Sequence, residues 1–174
     1  PPEENGFKLA LGPGTIHGEE IRRLQRLMEK GLYAGGRGSV ERVDAVSPYL
    51  AMLAQKIRLG PRPLKVAVDC GNGAAGIFAP RILEAWGCRV VPLYCEPDGT
   101  FPHHHPDPAK RANLRELQHA VVEEGCDLGV GYDGDADRLG VVDERGEVIW
   151  GDRLMCLFWR EILPGHPGAP ALVE

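Results

Sequence analysis

The sequence predicts an α/β fold: a mostly parallel sheet with helices on both faces and an antiparallel edge hairpin. Three observations carry that prediction. Between Leu64 and Leu163 short β-rich runs alternate with segments of helical period. Two of the runs end in polar turns, Asp69-Cys70-Gly71 and the stretch beginning at Asp133, as strands of an open α/β sheet do at their ligand-binding ends. Two further runs, Leu139 to Asp143 and Glu147 to Trp150, flank Glu144-Arg145-Gly146 and read as a hairpin.

Taken in order, Gly6 to Leu11 is a short strand ending at Gly12-Pro13-Gly14. Gly18 to Lys30 has helical spacing, with Ile21, Leu24, Leu27 and Met28 on one face. Glu19 and Glu20 favour its first turn and Gly31 stops it. After a Gly-rich loop, Val40 to Val43 reads as a brief strand. Ser47-Pro48 reads as a cap for a helix that buries Leu50, Leu53, Ala54 and Ile57. Gly60-Pro61-Arg62-Pro63 has linker composition. Leu64 to Asp69 is a strand, Ala75 to Trp86 a helix stopped by Gly87, and Cys88 to Tyr94 a strand. A polar loop runs from Glu96 to Ala112. Asn113 and Glu116 suggest a capping box for a helix from Leu114 to Glu124, which Gly125 stops. Leu128 to Tyr132 is a strand, and after the hairpin Asp152 caps a last helix to about Leu163. Pro164 to Pro170 is a second linker, and Ala171 to Glu174 reads as a strand beginning.

The formal net charge of −5 and the lack of any Lys/Arg cluster argue against a nucleic-acid surface. No apolar run is long enough for a membrane span. Five cysteines without a C-x-x-C pair read as buried thiols in a reducing, cytoplasmic setting. Both ends read as cut, so the chain is expected to be a piece of a longer protein.

The residues richest in chemistry are 132–140. Asp133, Asp135 and Asp137 alternate with Gly134 and Ala136 on a turn between two strands. Their mutual repulsion costs on the order of 1 kcal/mol per pair even in water, and a hard cation such as Mg²⁺ or Ca²⁺ relieves it. A solvated polar turn is the bland alternative. An EF-hand is excluded, because its sixth position would be Arg138 where glycine is required. Arg138 beside an acidic metal site suits a phosphate that also touches the metal.

Two other stretches leave alternatives open. Gly71-Asn72-Gly73-Ala74-Ala75-Gly76 fits G-x-G-x-x-G after a strand, and Glu96 stands where a ribose-binding acid would. It reads as a dinucleotide-binding Rossmann turn, as a set of phosphate-facing N–H groups, or as a tight packing turn. Phe101-Pro102-His103-His104-His105-Pro106-Asp107-Pro108 is held extended by its prolines. It reads as a structural loop or a substrate-facing edge rather than a zinc site.

Together these motifs resemble the α-D-phosphohexomutases, of the phosphomannomutase/phosphoglucomutase type. The metal loop D-G-D-x-D-R corresponds to Asp133 to Arg138, and C-G-N-G-x-x-G to Cys70 to Gly76. Pro1 to Lys8 is similar to the stretch following that family's catalytic S-H-N. The resemblance implies that residues 1–59 are the C-terminal part of a first domain, 60–164 a second domain with the metal loop, and 165–174 a linker and the start of a third. It implies interconversion of hexose 1-phosphate and hexose 6-phosphate, glucose or mannose, through a phosphoserine and a hexose 1,6-bisphosphate intermediate. It implies Mg²⁺ on Asp133, Asp135 and Asp137, with Arg138 holding the phosphate and Lys8 neutralising charge or moving a proton. The implied partners are the sugar phosphates and the remaining domains of the parent chain, with no nucleic acid and no membrane. Ser39 and Ser47 are the only serines and neither lies in an S-H-N motif, so the chain by itself is expected to be inactive.

Overall fold

The computed structural model describes residues 6–171. The readings placed on Pro1 to Asn5 and on Leu172 to Glu174 therefore lie outside the described residues. The chain divides between Val43 and Asp44 into two compact units.

The first unit holds a small hairpin, β1 (Ala10–Leu11) paired antiparallel with β2 (Gly14–Thr15), and a helix, α1 (Glu19–Glu29). The strand expected from Gly6 is reduced to its last two residues, because the Gly12-Pro13-Gly14 turn gives it only β2 to pair with. Gly31 ends α1 in the left-handed conformation, as the sequence suggests. Val40 to Val43 forms no strand.

The second unit opens with α2 (Val46–Lys56). Ser47 lies inside this helix rather than capping it. Asp44 takes that role, its Oδ1 accepting the Val46 and Ser47 N–H groups at 3.1 Å each. None of the residues in α2 is buried. Its Tyr49 makes an edge contact with Phe78; of the expected buried face, Leu50 and Leu53 are half-buried while Ala54 and Ile57 are exposed.

The sheet follows as β3 (Lys65–Asp69), β4 (Arg89–Leu93), β5 (Leu128–Tyr132), β6 (Leu139–Asp143) and β7 (Val148–Ile149), in the order β4-β3-β5-β6-β7. β3 pairs parallel with β4 and β5, while β6 runs antiparallel to β5 and β7. Four of the five strands therefore point the same way. Three helices complete the unit: α3 (Ala79–Ala85), α4 (Arg115–Glu123) and α5 (Gly151–Ile162).

Period-two alternation in β3 sorts two cores. Val66 and Val68 face Ala75, Ala79 and Cys88 on the α3 side, whereas Ala67 faces Leu114, Leu117, Val121 and Val142 on the α4 side. Helices thus cover both faces. On the α4 side the strands carry glycine. A Cβ on Gly129 would lie 2.6 Å from Val121 Cγ2 and 2.9 Å from Leu117 Cδ1, and one on Gly140 would lie 2.8 Å from Pro108 Cβ.

Three further helix starts differ from the sequence reading. The helix expected from Ala75 to Trp86 breaks into a 3₁₀ turn, Ala74–Ile77, and α3. Pro80 has no N–H for the Gly76 carbonyl and cannot continue the helix through that point. Asn113 and Glu116 form no capping box. Asn113 Nδ2 donates to the Asp107 carbonyl at 3.0 Å, and the Glu116 carboxylate accepts from the Tyr94 hydroxyl. Asp152 sits in the first turn of α5, whose cap position is Trp150, and makes no capping hydrogen bond. Among the described residues no helix is long and apolar enough to cross a membrane.

Leu117 is fully buried between α4 and the sheet, whereas Val122 on the same helix is 55% exposed. Leu117→Ala is expected to cost roughly 2–5 kcal/mol in urea unfolding, and Val122→Ala less than about 0.5 kcal/mol. Equal losses would contradict the assignment of α4's buried face.

Candidate metal centre

The acidic turn joins β5 to β6, whose register sets Tyr132 opposite Leu139. The Asp133 N–H donates to the Arg138 carbonyl at 3.3 Å, and the Ala136 N–H to the Asp133 carbonyl at 3.1 Å. Ala136 adopts φ 62°, a left-handed conformation costing an alanine roughly 1 kcal/mol. Its methyl packs on the α3-side core. One oxygen from each of Asp133, Asp135 and Asp137 lies within 4.8 Å of the others.

The three carboxylates are not equivalent. Asp133 is 1% exposed, while Asp135 and Asp137 face solvent. Asp133 Oδ1 accepts the Arg138 N–H at 2.9 Å and Oδ2 accepts Arg138 Nε at 2.8 Å. Burial raises the Asp133 pKa, but hydrogen bonds from the Arg138 backbone and guanidinium and from Asp137 outweigh it, so the carboxyl sits below its ordinary value. Asp137 moves the other way, raised by its hydrogen bond to Asp133 and by the charges of Asp135 and Asp133. A carboxylate has about four lone-pair positions. Arg138 takes one on each Asp133 oxygen, so with Asp137 ionised each oxygen keeps one free, and all the donor atoms are hard oxygens. The set fits Mg²⁺ or Ca²⁺.

Arg138 also reaches beyond the turn. Its Nη1 donates to Asp107 Oδ1 at 3.3 Å, so one guanidinium bridges the acidic turn to the loop after β4. The sequence reading missed Asp107. Its signal was its place between two prolines, which fix the chain extended on either side of it.

The glycine stretch turns its N–H groups onto the protein itself. The N–H groups of Gly71, Asn72, Gly73 and Ala74 donate to Asp69 Oδ1, the Tyr94 carbonyl, the Cys70 carbonyl and the Gly134 carbonyl, at 2.8, 2.8, 2.7 and 3.0 Å. That of Gly76 donates to the Gly73 carbonyl at 3.2 Å. Those are the donors a pyrophosphate would need. A 3₁₀ turn, not an α-helix N-terminus, follows them. The glycines instead permit close packing. A Cβ on Gly73 would lie 2.8 Å from the Gly134 carbonyl, and one on Gly76 1.9 Å from that of Cys95. The glycine turn is thereby seated directly against the acidic turn.

The histidines do not converge on an ion. His103 Nδ1 pairs with Asn72 Oδ1 at 2.7 Å, and its ring stacks on Tyr94 at 3.8 Å between centroids. His104 Nε2 pairs with the buried Asp69 Oδ2 at 3.0 Å, and that hydrogen bond raises its pKa against the opposing effect of burial. His105 meets Phe101 edge-on. These contacts leave His105 exposed, and they hold the segment in place as a structural loop would be held. Asp69, missed as a partner in the sequence reading, holds it and the Gly71 N–H together. Lys8, the remaining candidate, is exposed and lies in the first unit, in the irregular segment before β1.

The fold and site define an α/β layer with a convergent acidic turn at the end of a sheet strand, seated on a glycine turn. Residues 47–146 match the α/β/α domain II of the phosphoglucomutase/phosphomannomutase family, and the chain belongs to that family. Among named relatives, a phosphomannomutase/phosphoglucomutase of Pseudomonas aeruginosa is 47% identical over 174 residues, all of this chain and 37% of that protein. A phosphoglucomutase of Neisseria meningitidis serogroup B is 43% identical over 176 residues, 38% of its length. A crystal structure of a phosphoglucomutase/phosphomannomutase family protein from Burkholderia thailandensis superposes with a TM-score of 0.79 at 41% identity, over 88% of this chain and 33% of that one. The chain thus spans about 37% of the length of the curated relatives it matches first.

Two outcomes test this geometry. Gly76→Ala is expected to cost about 3 kcal/mol or more by overpacking, while Gly99→Ala, with open space around it, is near neutral in the same melts. Asp133 has a folded pKa below its unfolded value of roughly 3.9. Its contribution is therefore complete above that pH and lost as pH falls through the folded value. Asp133→Asn should lower Tm at pH 7, with the gap closing in acid, whereas Asp135→Asn should leave Tm unchanged or raise it. Identical responses of the two variants would show that Arg138 does not hold Asp133.

Proposed function

We propose that this chain supplies the metal loop of a Mg²⁺-dependent phosphohexomutase, an isomerase that moves a phosphoryl group between O1 and O6 of glucose or mannose phosphate. The reading goes through a phosphoserine and a hexose 1,6-bisphosphate intermediate, both contributed by the wider family mechanism. It is supported by the convergence of Asp133, Asp135 and Asp137 within 4.8 Å, in a chain of this family. The named relatives are phosphomannomutases and phosphoglucomutases.

Phosphoryl transfer asks a protein mainly for positioning and for stabilisation of spread negative charge. Asp133, Asp135 and Asp137 would hold Mg²⁺, which when bound neutralises charge on the transferring group. The buried Asp133 orients the turn, and the two exposed carboxylates leave it open toward solvent. Arg138, fixed at Nε by Asp133, keeps Nη2 available for a phosphate oxygen. Its planar fork favours that contact over a lysine's point charge. Lys8 would add positive charge or carry a proton. Partners on this reading are the sugar phosphates and the remaining domains of the parent chain.

Calorimetric titration with MgCl₂ should give one weak, saturable site that Asp135→Asn weakens at least tenfold. Adding phosphoserine should tighten Mg²⁺ binding in the unsubstituted chain and not in Arg138→Gln. If Asp135→Asn binds Mg²⁺ as well as the parent sequence, the metal assignment fails. Millimolar NAD should leave the melting temperature unmoved, and a saturable rise would restore a dinucleotide role.

A further inference from the structure

Two cysteines that the metal centre does not use lie side by side at the carboxyl end of the sheet. Cys95 Sγ is 3.4 Å from Cys70 Sγ. The arrangement is not what strand alternation would give. On β4, Val91 and Leu93 face the α4-side core, and continued alternation would send Cys95 there as well. Tyr94 breaks the alternation. At φ 51° it adopts a left-handed conformation that a tyrosine occupies only at a cost. The turn carries Cys95 to the α3-side core, where Cys70 is fully buried and Cys95 half-buried.

The backbone around the pair is fixed on both sides. The Cys70 N–H donates to the Leu93 carbonyl at 3.1 Å and the Asn72 N–H to the Tyr94 carbonyl at 2.8 Å. Gly76 approaches the Cys95 carbonyl so closely that no side chain fits between them. A disulfide requires a sulfur–sulfur separation of about 2.05 Å, so the two sulfurs need to approach by about 1.35 Å to bond. The other cysteines are placed differently. Cys88 and Cys126 are buried with pKa values raised by burial, Cys126 in the opposite core, and Cys156 is exposed on α5.

We propose that Cys70 and Cys95 form a modification site, a dithiol that a peroxide oxidises to an intramolecular disulfide. Cys95, the accessible partner, attacks the peroxide. An S–O bond forms, the O–O bond breaks, and one water leaves with the sulfenic acid left on Cys95. The Cys70 sulfur then attacks the Cys95 sulfur. The S–S bond forms, the S–O bond breaks, and the hydroxyl departs with the Cys70 proton as a second water. Two electrons pass from the two sulfurs to the peroxide. A hydrogen bond from Cys70 holds the Cys95 pKa below its ordinary value, which favours Cys95 as the first to react. The disulfide ties the glycine turn, and through the Ala74–Gly134 hydrogen bond the acidic turn, to the start of the loop after β4. The proposal does not rest on the metal assignment.

The test uses hydrogen peroxide on the chain carrying Cys156→Ala, which removes intermolecular pairing. Of its four remaining cysteines, two should be lost to thiol titration in denaturant and recovered with dithiothreitol. Tryptic mapping should join the peptide Val66 to Arg81 to the peptide Val90 to Lys110. The oxidised chain should melt higher than the reduced one. Adding Cys95→Ser should leave all three remaining thiols titratable after the same treatment. The peptide map of the Cys156→Ala chain carries the test even if the second variant fails to fold. An unchanged thiol count, a disulfide between any other pair, or Cys95 gaining oxygen without a partner would each overturn the proposal.

Discussion

A buried carboxylate must have its charge answered, and at Asp133 the answer is Arg138. The desolvation of a nearly inaccessible anion is offset by two hydrogen bonds from a residue five positions along the same turn. Closing that ring fixes the path of the turn, which in turn sets where Asp135 and Asp137 stand. The same guanidinium extends to Asp107 and so ties in the loop after β4. One cation thus orders an anionic turn that would otherwise splay, and it leaves two carboxylates facing outward. On the proposed reading, a metal would meet a turn already shaped, with less repulsion to overcome than three free aspartates would present.

Around that turn the backbone itself does the packing. Gly71, Asn72, Gly73, Ala74 and Gly76 spend their N–H groups on one another, on the Asp69 carboxylate and on neighbouring carbonyls, and Gly73 and Gly76 lack the side chains that would keep Gly134 and Cys95 at a distance. The pattern G-x-G-x-x-G therefore has a meaning here different from its meaning beneath a dinucleotide. In a Rossmann turn the glycines admit a ligand to the backbone. In this chain they admit other parts of the same backbone.

Much of this was legible in the sequence. Strand–helix alternation found the sheet, and the spacing of three aspartates between apolar runs found the acidic turn, because both are periodic and local signals. Helix starts were less legible. Ser47, Asn113 and Asp152 all have capping chemistry, yet Asp44 takes the start of α2, and Asn113 and Glu116 are drawn to Asp107 and Tyr94. Side chains with several possible partners are decided by the tertiary structure around them. The Asp107–Arg138 and Asp69–His104 pairs span 31 and 35 positions, and no local pattern marks such contacts. Tyr94's left-handed backbone was equally hidden, since tyrosine gives no sign of it in sequence.

The glycines on the α4 face of the sheet have an evolutionary corollary. Gly129 makes room for Leu117 and Val121, and Gly140 makes room for Pro108 and Leu114. The size of the residue at each strand position is therefore coupled to the size of the helix or loop residue above it. A lineage that gained a side chain at position 129 would have to shrink position 117 or 121 in step. Those positions should drift as linked pairs, while the acidic turn at the end of the same strand stays in place.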